Sequence, residues 1–211
     1  MPSSFAYDLI TMYDSPQTPR LILASGSPRR LELLTGASLD VKVVRPEVEE
    51  FRGGVYPPHE LSQKNAVLKV EKVAADFPDD FVIASDTVVA LEGCVYGKPK
   101  DLTEAAENLR KFRGRTHEVM TGVSIRRNEQ AINFVETSLV KFREFDDSLI
   151  ERYLSKVPVL DKAGGYAIQD HGDWLVEEIK GDYHNIMGLP LTMVLAKLVE
   201  MGFNPPATEL F

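Results

Sequence analysis

Residues 21–34, LILASGSPRRLELL, set a small-residue corner, Ala24-Ser25-Gly26-Ser27, between an apolar run and a segment with helical spacing at Leu31, Leu33 and Leu34. Pro28 suits a first helical position, where its missing N–H would go unpaired anyway and its fixed φ is already helical. Ser27 stands where an N-cap belongs. The first turn of a helix points free N–H groups and the positive end of its dipole outward, and here Arg29 and Arg30 follow at once. Such a corner suits an anion, phosphate above all. On the turn alone, two solvated arginines explain the pattern as well as an anion site does. The chain adds Lys69, Lys98 and one carboxylate, Asp86, which interrupts an apolar run. A charge buried there without partners is costly, so Asp86 satisfies a turn, stands at a sheet edge over a cleft, or does chemistry. Cations that hold phosphates, with a carboxylate that binds metal or activates water, are the parts that phosphoanhydride hydrolysis needs.

Other chemistries find no support. No Walker loop (GxxxxGKS/T) occurs, no GxGxxG follows a strand, and neither a kinase set nor a serine triad is apparent. The net charge of −8 and pI near 5.1 argue against general affinity for nucleic acid or an anionic membrane, so a polyanion must be held by a local cation cluster. Cys94 is the single cysteine, which rules out an internal disulfide and a metal-type cysteine pair. Neither a secretory signal nor a membrane-spanning run is expected, which leaves the cytoplasm as the expected location.

The elements that must position these residues follow from periodicity. With 44% hydrophobic and 27% charged residues, 211 residues suffice for one large domain or two small lobes. Residues 1–19 read as an irregular arm, 20–205 as a single catalytic domain and 206–211 as a tail. Strands are expected at 21–24, 41–44, 81–84 and 88–91, with Ser85-Asp86-Thr87 as a turn between the last two. Two long paired strands are expected at 117–125 and 131–142, and another at 174–179. Residues 45–58, acidic and turn-rich, read as a loop in which any one glutamate is more readily solvated than functional, with Glu50 as the one with a metal-facing alternative. A helix over 59–77 would bury Val67, Val70, Ala74 and Phe77, leaving Lys69 just off that face and solvated. Helices are also expected from Asp101 or Thr103, burying Leu102, Ala105, Ala106 and Leu109, from Asp146, and from Pro190, with Leu191, Val194, Leu195, Leu198 and Val199 in step. Gly97-Lys98-Pro99 and 181–188 read as loops. Alternating strands and helices followed by paired strands suggest an α/β fold with a mixed, twisted sheet flanked by helices, and two lobes around a central cleft.

Six fragments taken in order carry a resemblance: ASGSPRR with its following LL, SDTVV, GKP, GRTHEVMTGV, DKAGGYAIQ at 161–169 and NIMGLPL at 185–191. The chain resembles the Maf family, nucleoside triphosphate pyrophosphatases once described as septum-formation proteins, over about 21–198. The resemblance implies an inosine triphosphatase-like fold and hydrolysis of a nucleoside triphosphate between the α and β phosphates, with Mg²⁺ or Mn²⁺. It implies that Asp86 accepts the proton of the attacking water and shares a metal with Glu50. Ser25, Arg29, Arg30, Lys69 and Lys98 match phosphate-binding positions. Arg29, Thr87 and Gln169 match the positions associated with base choice, and their identities are similar to the dTTP/UTP branch, with modified pyrimidine nucleotides as further expected substrates. A glutamine amide can complement the O4 and N3–H edge of a pyrimidine. Family members are often dimers, so a homodimer is an expectation. Ser85 departs from the family's more frequent Gly-Ala-Asp. Two alternatives stay open: the same chemistry on another base, or a nucleotide-binding, division-linked protein without turnover.

Overall fold

The computed structural model describes residues 19–205. The arm expected over 1–19, apart from its last residue, and the tail 206–211 lie outside them. Strands are β1 (Leu21–Ala24), β2 (Val41–Val44), β3 (Phe81–Leu91), β4 (Cys94–Tyr96), β5 (Thr116–Arg127), β6 (Gln130–Phe142) and β7 (Val176–Lys180). Helices are α1 (Pro28–Gly36), α2 (Pro58–Ala74), α3 (Leu102–Phe112), α4 (Asp147–Lys156), the short α5 (Gly172–Leu175) and α6 (Tyr183–Met187), and α7 (Leu191–Glu200). They build one sheet in the order β2-β1-β3-β5-β6-β7, with β4 beside β3. β1 pairs in parallel with β2 and β3, and the intervening α1 and α2 supply the crossovers that parallel strands require. From β3 onward the pairing is antiparallel. The expected mixed α/β sheet flanked by helices is therefore the fold.

Alternation along β3 lets one sheet serve several apolar cores. Phe81 and Ile83 pack with Leu21, Leu34, Val194 and Leu198 under α1 and α7. Val89 and Leu91 pack with Leu109, Phe112 and Tyr153 under α3 and α4. On the same face between these two lobes stand Ser85 and Thr87. The opposite face of β3 puts Val82 and Ala84 against Val70 and Val73 of α2, and Asp86 follows them in step. The expected turn at Ser85-Asp86-Thr87 is thus the middle of a continuous strand, a polar seam between two lobes.

The seam is open along one edge. β1 covers β3 from Phe81 to Ile83 and β4 covers it from Val89 to Leu91. Between them, β3 has β5 on one side and, among the described residues, no strand on the other. This gap in strand pairing, at the end of β1, is where Ser85, Asp86 and Thr87 stand.

Several local expectations need correction. α2 buries Leu61, Ser62, Asn65, Ala66, Lys69, Val70, Val73 and Ala74; Val67 lies off the buried stripe, and Lys69 lies on it. Ser27 does not cap α1 with its side chain; the hydroxyl of Ser25 accepts from the Ser27 N–H instead, at 3.1 Å. Trp174 belongs to α5, and the strand begins at Val176. The expected loop over 181–188 contains α6, capped by Asp182 and closed by Gly188 at φ +111°. Leu102 and Val199 are exposed, at 51% and 53%. The expected cap at Asp146 is present, its carboxylate accepting from the Leu149 N–H at 2.9 Å.

Candidate active site

The corner after β1 and the turn after α6 meet at Arg30. Its guanidinium donates from Nη1 to Ser25 Oγ at 3.1 Å, from Nη2 to Thr87 Oγ1 at 3.2 Å, and from Nε to the Gly188 carbonyl at 2.9 Å. Each partner is itself held. Thr87 Oγ1 lies 3.0 Å from Thr121 Oγ1, Thr121 donates to the Asn185 carbonyl, and Ser85 Oγ donates to the Gly188 carbonyl at 2.9 Å. Ser85, the departure from the family pattern, thus ties the strand to the turn that Arg30 uses. Gly188 is required there: beyond its positive φ, a Cβ would meet Thr87 Oγ1 at 3.2 Å and Arg30 Nε at 3.3 Å.

A second group forms on the α2 face. Asp86 is 9% exposed and Lys69 6%. Lys69 Nζ is 2.7 Å from Asp86 Oδ1 and 3.1 Å from Glu50 Oε1, so one buried ammonium bridges the two carboxylates. Asn65 Nδ2 donates to the other Asp86 oxygen at 3.1 Å. The spacing of Asn65 and Lys69, four residues apart on one helix, puts both on the face that meets Asp86. α2 comes close enough because Gly122 stands opposite Asp86 in register. A Cβ at Gly122 would sit 2.4–2.5 Å from the Ser62 carbonyl group and the Gln63 nitrogen.

The two groups share one electrostatic neighbourhood. Burial lowers the Arg30 pKa from its ordinary value, and the Asp86 and Glu50 charges oppose that shift while Arg29 adds to it. An arginine stays cationic regardless. Among the described residues no three His, Cys, Asp or Glu side chains gather as a metal cage. Glu50 and Asp86, two hard oxygen donors already facing one shared cation, fit a divalent ion in their chemistry.

The other expected site residues stand apart. Arg29 pairs with Asp161 at 3.3 Å. That contact ties α1 to the segment that carries Gln169. Lys162 supports it, its buried ammonium 2.7 Å from the second Asp161 oxygen. Gln169 and Lys98 are exposed, and neither makes a side-chain hydrogen bond or ion pair among the described residues. Lys98 follows Gly97, whose carbonyl accepts from the Gly164 N–H, so the two loops lie together. Sequence reasoning brought out Ser25, Arg30, Thr87 and Asp86. It passed over Asn65, Thr121 and the Gly188 carbonyl; the i, i+4 spacing of Asn65 and Lys69 was the available signal for the first.

A family model described as Maf-like protein matches residues 20–201. The dTTP/UTP pyrophosphatase of Dictyoglomus thermophilum is 44% identical over 187 residues, covering 87% of this chain and 97% of that protein. The dTTP/UTP pyrophosphatase of Pyrococcus furiosus is 46% identical over 183 residues, covering 87% and 95%. Among solved structures, the Staphylococcus aureus Ham1 protein aligns with a TM-score of 0.48 at 17% identity, covering 84% of this chain and 99% of that one.

Proposed function

Because the chain belongs to the Maf-like protein family, we propose that it hydrolyses dTTP and UTP between the α and β phosphates, releasing the nucleoside monophosphate and pyrophosphate. The observation that carries this reading is Asp86 on β3, its carboxylate held by Lys69 and Asn65, next in sequence to Thr87, on which the guanidinium of Arg30 is fixed. The substrates are those in the names of relatives 41–46% identical over most of the chain.

In this reading Asp86 accepts the proton of the water that attacks the α phosphorus. Arg30, Ser25 and Lys98 hold the phosphates, and Lys69 shares its charge between Asp86 and the polyphosphate. Fixed donors of this kind stabilise the charge that develops on the leaving pyrophosphate without having to reorganise first. Glu50 and Asp86 would hold a divalent cation, Mg²⁺ or Mn²⁺, which when bound neutralises phosphate charge. Arg29, held by Asp161, and Gln169 read the base. Thr87 acts on base choice through Arg30, since its hydroxyl already lies between Arg30 and Thr121. Among the described residues no helix is long and apolar enough to cross a membrane; a cytoplasmic homodimer of a single catalytic domain over 20–205 completes the proposal.

The test is a panel of nucleoside triphosphates with Mg²⁺ or Mn²⁺, scored separately for pyrophosphate and free phosphate. Pyrophosphate from dTTP and UTP, with purine nucleotides poor, is expected. Free phosphate would break the cleavage assignment, and tight binding without either product would favour a nucleotide-binding role. Asp86→Asn should abolish turnover in a folded protein; near-normal activity would remove Asp86 from the mechanism. Gln169→Ala should shift base preference more than rate.

A further inference from the structure

Asn65 is 3% exposed, and its amide makes three hydrogen bonds, two to the backbone of Phe51 and one to Asp86. Its Oδ1 accepts from the Phe51 N–H at 2.8 Å. Its Nδ2 donates to the Phe51 carbonyl at 3.1 Å and to Asp86 Oδ2 at 3.1 Å. The amide can face only this way, because the reversed orientation would turn its oxygen toward two acceptors and its NH₂ toward a donor. We propose that Asn65 is a positioning residue for hydrolysis: one amide orients the carboxylate of Asp86 and, by clamping the Phe51 peptide, sets where the adjoining Glu50 stands. This rests on the reading of Asp86 as the proton acceptor.

The division of labour with Lys69 is the reason a second donor is needed. Lys69 carries a long, flexible side chain and a charge that Glu50 and a polyphosphate both compete for. Whenever that ammonium turns toward phosphate, Asp86 loses one of its two restraints. Asn65 is short, uncharged and fixed at its far end by a two-point bond to backbone. It keeps the carboxylate aimed while Lys69 moves, and it does so without adding a charge to the site. The same clamp holds the 45–57 loop against α2, so the two carboxylates keep a fixed relation that neither β3 nor the loop could impose alone.

Two variants separate the two tasks. Asn65→Leu keeps the volume and loses every bond. Asn65→Asp keeps an acceptor for the Phe51 N–H but replaces the donor to Asp86 with a second carboxylate that repels it. Both are measured for kcat and KM on UTP with saturating metal. Active sites are counted by calorimetric titration with α,β-imido-UTP, so that loss of folded protein is not read as loss of rate. The state of the loop is read from hydrogen exchange at the Phe51 amide. The expected result is a fall in kcat per site of about 10–100-fold in Asn65→Leu, the worth of one hydrogen bond to a charged group, with KM changed less than about threefold, and a fall at least as large in Asn65→Asp, where repulsion adds to the lost bond. Phe51 should exchange faster in Asn65→Leu and stay protected in Asn65→Asp. Normal kcat in both variants, normal kcat in Asn65→Asp alone, or a change confined to KM would each overturn the proposal. Should Asn65→Leu not fold, Asn65→Ser, which shortens the side chain and adds no charge, decides. Asp86→Asn is run alongside: if it turns over normally, the underlying reading of Asp86 is what fails. If it is inactive while the Asn65 variants are normal, only the role of Asn65 falls.

Discussion

Arg30 and Ser85 both bond the Gly188 carbonyl, yet their loss should have very different consequences. Arg30 spends three N–H groups on Ser25, Thr87 and Gly188, which leaves one on each terminal nitrogen, a planar two-pronged donor already fixed in place. Lysine offers one point charge on a flexible stem and cannot reproduce that fork. Arg30→Lys should therefore lower kcat/KM by about 100-fold, mostly through KM for the triphosphate, at the scale of one lost charge-assisted pair; a change below threefold in steady-state assays would count against the fork. Ser85→Ala removes a bond from a carbonyl that keeps Arg30 as donor, so the cost should be about 1 kcal/mol in urea unfolding with activity within about twofold. A large loss of kcat would mean that Ser85 does more than brace the turn. Much of this residue-level site was readable in the sequence, because Ser25 and Arg30 belong to a strand-to-helix corner suited to an anion and Asp86 interrupts an apolar run. Asn65 was not, since its i, i+4 spacing with Lys69, the one signal it carries, reads the same whether that helix face meets water or a carboxylate.

At the level of elements, the close approach of α2 to the sheet decides whether the centre exists. Lys69 and Asn65 reach Asp86 only because Gly122, directly across on β5, presents no side chain to the helix backbone. A methyl group there would lie against backbone atoms of Ser62 and Gln63, which cannot rotate out of the way as a side chain could. Gly122→Ala should force α2 outward and cost more than about 2 kcal/mol, in line with overpacked cores. Activity should fall further than the folded fraction does, because Lys69 and Asn65 are displaced together. Thermal unfolding and site-counted kcat check both parts, and an unshifted unfolding midpoint would refute the packing argument. The sequence placed α2 but rotated its face, reading Val67 as buried and Lys69 as solvated. Apolar periodicity cannot register a helix stripe that includes Ser62, Asn65 and Lys69, buried because they are hydrogen-bonded or paired and not because they are oily. The same blindness explains α6, whose residues look like a polar loop until Asn185 is seen inside the protein donating to Val119 and Ser138.

Across the whole molecule, the two lobes differ in what their cores contain, and one difference makes stability depend on pH. The lobe under α3 and α4 buries His117, stacked 4.6 Å from Phe112, with Nε2 2.8 Å from the Tyr166 hydroxyl and Nδ1 without a partner among the described residues. Burial pulls its pKa down to about 3, against about 6.5 in an unfolded chain. Well above pH 6.5 both states carry a neutral ring and the group adds no pH dependence. Below it, the unfolded chain takes up a proton that the folded one refuses, so stability falls as pH drops from about 6.5 toward 3. The slope approaches 1.4 kcal/mol per pH unit, or roughly 2–3 kcal/mol lost by pH 4.5. Carboxylates act lower. Burial alone would raise the Asp80 carboxyl, but its bonds to Arg20 together hold it below its ordinary range, and the Ser148 hydroxyl and Leu149 N–H hold Asp146 down likewise. Their contributions stay intact until the pH falls below about 4. The window between 6.5 and 4.5 therefore isolates His117. Urea unfolding at pH 7.0, 5.5 and 4.5 should show that loss in the native protein and a much flatter profile in His117→Phe, which fills the same apolar space with a ring that cannot take a proton. If the two profiles run parallel, the proton uptake belongs to some other group, and the buried imidazole is not what ties this lobe to pH.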